Sequence, residues 1–330
     1  MTRRILITCP QMQQYAAEYS SVLAAKGVEA DLPPVVQQLD ESELLQIIDR
    51  YDGVIAGDDE FTARVINQAS RLRVISKWGV GIDNIDLEAA RARGVRVTNT
   101  PGTFADEVAD VAAGYLIMLA RQLHRIDAGV RSGTWTKIEG ISLAGKTLTI
   151  IGLGSIGSAL GRRAQVMGMR VKGFEISAER RDAARAAGIE LADMDAALAS
   201  ADFVSLNCPL TPENRHMLSD AQFAAMRRGV FLVNTARGPL IDEAALVRAL
   251  EAGQVAGAAL DVFEVEPLPA ESPLWTMPNV LVSPHRAGDH DAWPHDVVEL
   301  FADNLRRYLA GEPLRNVVDV SLGYAPGGRS

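Results

Sequence analysis

The sequence predicts an α/β protein with two doubly wound parallel sheets. Short Val- and Ile-rich runs alternate with longer helical patterns along nearly the whole chain, and the runs fall into two series. Length agrees, because 330 residues exceed one ordinary core and suggest two domains. Most of the runs are apolar throughout rather than alternating, the pattern of parallel strands covered by helices on both faces.

The first series reads RILIT (Arg4 to Thr8), GVIAG (Gly53 to Gly57), RVISK (Arg73 to Lys77) and VRVT (Val95 to Thr98). The second reads TLTIIG, RVKGFE, FVSLN, VFLVN, AALDVF and VLVSP. Helices between them have readable ends. Ser219 and Gln222 form a capping box for a helix expected to close at Gly229. Asp242 is placed to cap EAALVRALEAG, which stops at Gly253. A long apolar helix, from about Ala105 to Leu123, lies between the two series, and the final YAPGGRS reads as a loose tail.

Composition excludes several classes of function. With 48% hydrophobic residues the chain has material for packed cores and no disordered character. A net charge of −9 argues against nucleic acid, whose phosphates need a basic footprint. Cys9 and Cys208 are too few and too distant for a disulfide framework or a cysteine zinc site. The apolar stretch ending VAAGYLIMLA at Ala120 is too short for a bilayer and lies between Asp106 and Arg121. The start MTRRILITCP is too short an apolar run for a signal peptide. These features predict a soluble cytoplasmic protein without nucleic-acid or membrane partners. His285, His290 and His295 are spaced five apart, and Pro284 and Pro294 interrupt any helix through them. No metal cluster is expected there.

The strongest local motif is LTIIGLGSIGSALGRRAQVMGMRVKGFE. Gly152, Gly154 and Gly157 form G-x-G-x-x-G between a strand and a helix. Gly152 suits the tight turn, Gly154 lets a pyrophosphate approach the backbone, and Gly157 lets helix and strand pack closely. Phosphates would meet helix N-terminal amides around Ser155 and Ile156. Glu175 follows Gly157 by eighteen residues, where an acid holds the ribose hydroxyls of a dinucleotide. Such an acid repels a 2′-phosphate and favours NAD over NADP, against the nearby charges of Arg180 and Arg181.

Three later segments act jointly. VNTARGPLIDE places Arg237 after one strand. AALDVFEVEPLP places Asp261, Glu264 and Glu266 after the next, and LVSPHRAG places His285 after a third. Loops at the carboxyl ends of parallel strands converge where ligands bind, so an arginine, a carboxylate and a histidine are expected to meet beside the nucleotide.

The chain resembles the D-isomer-specific 2-hydroxyacid dehydrogenase family. The likeness rests on KWGVGIDNIDLEAARARGVRVTNTPG, GKTLTIIGLGSIG, PLTPENRHML, NTARGPLIDEAAL, ALDVFEVEPLP and SPH, in that order. It implies a Rossmann NAD domain inserted into a flavodoxin-like substrate domain. The implied boundaries are 1–99 and 288–330 for the substrate domain and 100–287 for the NAD domain, with hinges near Asn99 and Ala287. Arg237, Glu266 and His285 inherit the catalytic positions, and Asp261 that of the acid near the nicotinamide. Cys208, Pro209, Thr235 and Ala236 fall in loops that the family places near the cofactor. Val80 and Gly81 inherit backbone contacts to the substrate carboxylate, with Trp78 in the same loop. The resemblance also implies a homodimer formed through the NAD domain.

The implied chemistry suits these side chains. Reduction of a 2-oxo acid leaves a developing alkoxide that needs a proton, which an imidazolium at His285 supplies. Glu266 would hold the other ring nitrogen and raise the histidine's pKa. Arg237 would orient the substrate and polarise its carbonyl. Relatives acting on phosphorylated substrates tend to carry arginine near the end of the third strand. Here that region reads IAGDDEFT, and Asp58, Asp59 and Glu60 would repel a second anionic group if they face the substrate. The expected substrate is a small 2-oxo acid such as glyoxylate or hydroxypyruvate. Alternatives are phosphite oxidation on the same scaffold and a non-catalytic, NAD-sensing corepressor-like role.

Overall fold

The structure, a computed structural model, describes residues 3–14, 16–25, 27–135, 137–290, 300–301, 303–304, 307–308 and 310–319. His295 and the YAPGGRS tail lie outside the described residues. Contacts divide the chain into two units, Met1–Thr103 with His290–Ser330, and Phe104–Asp289. The second is thus inserted into the first.

The first unit holds β1 (Arg3–Ile7), β2 (Val28–Asp31), β3 (Gly53–Ala56), β4 (Val74–Lys77) and β5 (Arg96–Thr98), all parallel, in the order β2-β1-β3-β4-β5. This is the flavodoxin-like order, which reverses direction between β1 and β3. Strand residues Leu6, Val54 and Ile75 share one core with Leu44, Ile48, Phe61 and Ile66 from the covering helices and loops. The chain returns to this unit after the insertion. Val317 bridges Thr98 antiparallel, the Val318 amide donates to Val97 O at 2.9 Å, and Val318 joins the same core.

The second unit holds β6 (Thr147–Ile151), β7 (Arg170–Phe174), β8 (Glu190–Leu191), β9 (Phe203–Leu206), β10 (Val230–Asn234), β11 (Val255–Leu260) and β12 (Val280–Val282). Their order is β12-β11-β10-β9-β6-β7-β8, again all parallel, reversing between β6 and β9. Successive side chains point to opposite faces. Ile151, Val204, Leu232 and Ala258 feed one core, while Ile150, Phe203, Val233 and Ala259 feed the other. Helix Ala105–Arg121 covers the second of these through Ala109, Ala112, Leu116 and Leu119.

Three expectations differ in detail. Strands β2 and β8 had no apolar signature: Val28–Asp31 reads VEAD, and β8 is only two residues long. The strand expected over AALDVF begins earlier, at Val255, because small residues of VAGAAL pair with β10. Gly229 does not close the helix opened by the Ser219–Gln222 box. That helix ends at Ala225, and Gly229 turns the chain into β10 instead.

Candidate active site

The loops at the carboxyl ends of β6 and β9 meet where the second sheet reverses. Gly152 has φ +91°, and a Cβ there would lie 2.8 Å from Cys208 N. At Gly157 a Cβ would lie 2.0 Å from Gly152 O, so only glycine lets helix Ser155–Val166 sit this close to the turn. Gly154 is that helix's N-cap and makes no side-chain cap, while a Cβ on it would meet nothing within 4 Å. The amides of Ser155 and Ile156 begin the first turn of that helix, at its positive end. Glu175, buried just past β7, ties this loop down. It accepts from Leu153 N at 2.9 Å and Ser177 N at 2.8 Å, and a carboxylate has lone pairs left for further donors. Asn207 Nδ2 and Thr235 Oγ1, just past β9 and β10, are buried without a hydrogen-bond partner among the described residues. Buried polar atoms left unpaired cost free energy, so an open glycine cradle flanked by two of them fits a dinucleotide.

The loops after β10, β11 and β12 carry the charged groups. Nδ1 of His285 lies 2.8 Å from Glu266 Oε2, and Oε1 of the same carboxylate accepts from Phe263 N at 2.9 Å. Their side chains are 24% and 15% exposed, so the pair is shielded yet reachable. His285 has φ +53°, an uncommon backbone setting for a non-glycine residue. It is held by its amide, which donates to Asp261 O at 2.8 Å and Ser283 O at 3.1 Å. Arg237 follows β10, with Nη1 donating to Ala236 O at 2.8 Å. Gly238 presses the arginine's loop against that of Glu266, since a Cβ there would fall 1.9 Å from the Phe263 carbonyl.

Asp261 is buried and engaged by its own surroundings. Its carboxylate accepts from the Ser283 hydroxyl, from Arg286 N at 3.0 Å and from Ala287 N at 2.8 Å. Tyr115 OH lies 2.6 Å from Ser283 Oγ and extends this network into helix Ala105–Arg121. Asn234 shapes the Arg237 loop, accepting from Ala236 N at 3.0 Å and donating to Arg237 O at 2.8 Å. Tyr115, Ser283 and Asn234 escaped the sequence reading. For Asn234 there was a signal: a polar residue ending an otherwise apolar strand. Glu264, two residues from Glu266, pairs instead with His216.

Burial pushes the thiol of Cys208 up to about 11 and that of Cys9 up to about 12. Since the thiolate is the reactive form, neither should label with Ellman's reagent at pH 8 in the folded protein, and both should after denaturation. Rapid labelling of Cys208 in the native state would contradict this.

In the first unit, the segment after β4 carries Trp78, Val80 and Gly81. Trp78 is a core residue at 9% exposure, with its amide donating to Ala56 O at 2.8 Å. The acidic run after β3 is not a repulsive patch as a whole. Asp59 is turned inward and accepts from Thr8 Oγ1, from Leu39 N at 2.8 Å and from Gly57 N at 2.9 Å. Asp58 is paired with Lys77 at 2.8 Å. His290 belongs to this unit, whereas His285 belongs to the inserted one. Among the described residues, no group of three or more histidine, cysteine or acidic side chains is arranged to hold a metal ion. Nor is any helix long and apolar enough to cross a membrane.

The profile of the family "D-isomer specific 2-hydroxyacid dehydrogenase, NAD binding domain" matches residues 113–287. The chain is 40% identical over 267 residues to a glyoxylate reductase of Korarchaeum cryptofilum, covering 79% of this chain and 80% of that one. It is 38% identical over 290 residues to a D-3-phosphoglycerate dehydrogenase of Methanocaldococcus jannaschii, covering 87% of this chain but only 55% of the longer relative. The fold is similar to the crystal structure of a glyoxylate reductase from Paecilomyes thermophila. That match has a TM-score of 0.81 at 30% identity and covers 97% of this chain and 99% of that one.

Proposed function

The chain belongs to the D-isomer specific 2-hydroxyacid dehydrogenase family and is an NAD-dependent oxidoreductase; from that premise we propose that it reduces small, unphosphorylated 2-oxo acids such as glyoxylate or hydroxypyruvate, with His285 as the acid–base group. The observation that carries this reading is the shielded His285–Glu266 pair, 2.8 Å across, at the strand ends of the sheet that also bears the glycine cradle.

NADH supplies the hydride when bound. In reduction His285, as imidazolium, delivers a proton to the carbonyl oxygen, and in oxidation the neutral ring removes it. Glu266 engages Nδ1, so the travelling proton is carried on Nε2, and the Phe263 amide keeps the carboxylate aimed at the ring. Arg237 grips the substrate and stabilises charge growing on its oxygen. Val80 and Gly81 receive the substrate carboxylate through backbone amides. Glu175 receives the adenosine ribose hydroxyls, and the amides of Ser155 and Ile156 face the pyrophosphate. Asp261, near the nicotinamide, also holds the loop carrying His285. The inserted unit serves as the NAD domain and the other as the substrate domain.

Two features support a small substrate. No arginine lies between Gly57 and Thr62, where a distal phosphate would need a cation, and the glyoxylate reductase of Korarchaeum cryptofilum matches over most of its length. A homodimer through the NAD domain is supported by apolar side chains exposed at Leu123, Val130 and Trp135, the last at 81%.

The test is NADH consumption, with NADPH in parallel, against glyoxylate, hydroxypyruvate, pyruvate, a branched 2-oxo acid and 3-phosphohydroxypyruvate. Glyoxylate or hydroxypyruvate should give the highest kcat/KM, with NADH preferred. A preference for the phosphorylated acid would overturn the substrate reading. No turnover despite NADH binding would overturn the enzymatic role on this substrate class.

A further inference from the structure

The first sheet reverses between β1 and β3, and in such sheets ligands bind at the carboxyl ends beside the reversal. One strand beyond that reversal β4 ends in Lys77, whose side chain is 3% exposed, although a buried ammonium is expensive unless paired and hydrogen-bonded. Its Nζ donates to Asp58 Oδ1, after β3, at 2.8 Å, and to Trp78 O at 2.9 Å.

That carbonyl is the first of three pinned in succession. Gly79 O accepts from Thr100 N at 3.1 Å, and Val80 O accepts from Asn99 Nδ2 at 2.7 Å. The amide of Gly79 is held as well, donating to Thr100 Oγ1 at 3.0 Å. In a trans peptide the N–H points opposite to the C=O of the preceding residue. Fixing the carbonyls of Gly79 and Val80 therefore turns the amides of Val80 and Gly81 the other way. Among the described residues neither amide donates to a backbone carbonyl. Two adjacent amides aimed outward make an anion nest.

We infer that Lys77 is a positioning residue for substrate: it anchors the Trp78 carbonyl, one peptide ahead of the nest, and it neutralises Asp58, which shares the ammonium with that carbonyl, so that an anionic 2-oxo acid can approach. The inference rests on the proposed assignment of Val80 and Gly81 to the substrate carboxylate. Lys77 touches no reacting atom, so its loss weakens substrate capture and spares the chemical step.

The experiment compares wild type, Lys77→Met, Lys77→Arg and Asp58→Asn. It measures KM and kcat for the best 2-oxo acid, the Kd for NADH, and the Kd of the NADH complex for oxamate by calorimetry. Lys77→Met should raise KM and the oxamate Kd about 10- to 100-fold, the size of a lost charge-assisted hydrogen bond. Its kcat and NADH Kd should stay within about threefold, a change small beside the tenfold that 1.4 kcal/mol represents. Lys77→Arg should recover at least part of the loss, because it keeps the charge. Asp58→Asn removes the negative charge yet keeps an oxygen that can accept from Lys77 Nζ, so it should not raise KM; this variant decides the matter should Lys77→Met fail to fold. Unchanged KM and oxamate affinity in a folded Lys77→Met, a parallel fall in every parameter, or a higher KM in Asp58→Asn would each overturn the inference. A wild type that binds oxamate but turns over no 2-oxo acid defeats the proposed function alone, and the oxamate ratios still judge Lys77. A wild type that binds no oxamate defeats the nest and this inference with it.

Discussion

Replacing His285 with alanine should lower kcat for 2-oxo acid reduction by about 10²- to 10⁴-fold, the range typical of a lost general acid, while the Kd for NADH stays unchanged. The ring is the proton donor in the proposed reaction, and its Nδ1 is committed to Glu266 at 2.8 Å. Glu266→Gln should cost less, because an amide can still accept from the ring but cannot stabilise the imidazolium. The pH dependence has a definite sign. Reduction needs the protonated ring, so its kcat/KM falls as pH rises through the histidine's pKa, whereas oxidation needs the neutral ring and gains over the same span. Stopped-flow and steady-state assays in both directions check this. A His285→Ala enzyme retaining more than a tenth of wild-type kcat would remove the histidine from the mechanism.

The second large effect belongs to the glycine cradle and separates its two kinds of glycine. Gly157→Ala sets a Cβ 2.0 Å from Gly152 O and 3.2 Å from Ile150 Cγ2. The first contact is backbone and cannot swing aside. Overpacking against it should destabilise the fold by about 3 kcal/mol or more. The displaced turn should weaken NADH binding at least ~100-fold, equivalent to about 2.7 kcal/mol. Gly154→Ala meets nothing within 4 Å in the protein itself. It should keep wild-type Tm and lose NADH affinity alone, because its added methyl occupies space meant for the pyrophosphate. Thermal melts and fluorescence titration with NADH distinguish the two. Equal Tm losses in both variants would show that the cradle is only a packing device.

Much of the fold was legible because parallel strands covered on both faces are written as continuous apolar runs. Where that cue failed, as in VEAD for β2 and the two-residue β8, strand pairing came from neighbours rather than from the segment itself. The glycine motif was legible for a local reason, since turn, cradle and helix start lie within six residues, Gly152 to Gly157. The acids after β11 were not. Asp261, Glu264 and Glu266 lie within six residues, and only the resemblance singled out the histidine's partner. In the folded chain Glu266 lies on His285, Glu264 on His216, and Asp261 on the loop that bears His285. Asp59 shows the same gap. Its sequence neighbours suggest a surface acid, yet Thr8 and Leu39, distant in the chain, draw it inside.

By itself the sequence determined the alternation of strands and helices, the division into two series, the nucleotide cradle, and the appearance of arginine, acid and histidine at successive strand ends. These are properties of short segments, set by side-chain periodicity and by the few backbone conformations that glycine and capping residues admit. Only the tertiary structure decided which charges neutralise which. Lys77 and Asp58 lie nineteen residues apart, and so do Glu266 and His285. Tyr115 and Ser283 lie 168 apart. Their pairing depends on strand order and on the course of the loops between, and a hydrogen bond forms only when both ends arrive within about 3 Å.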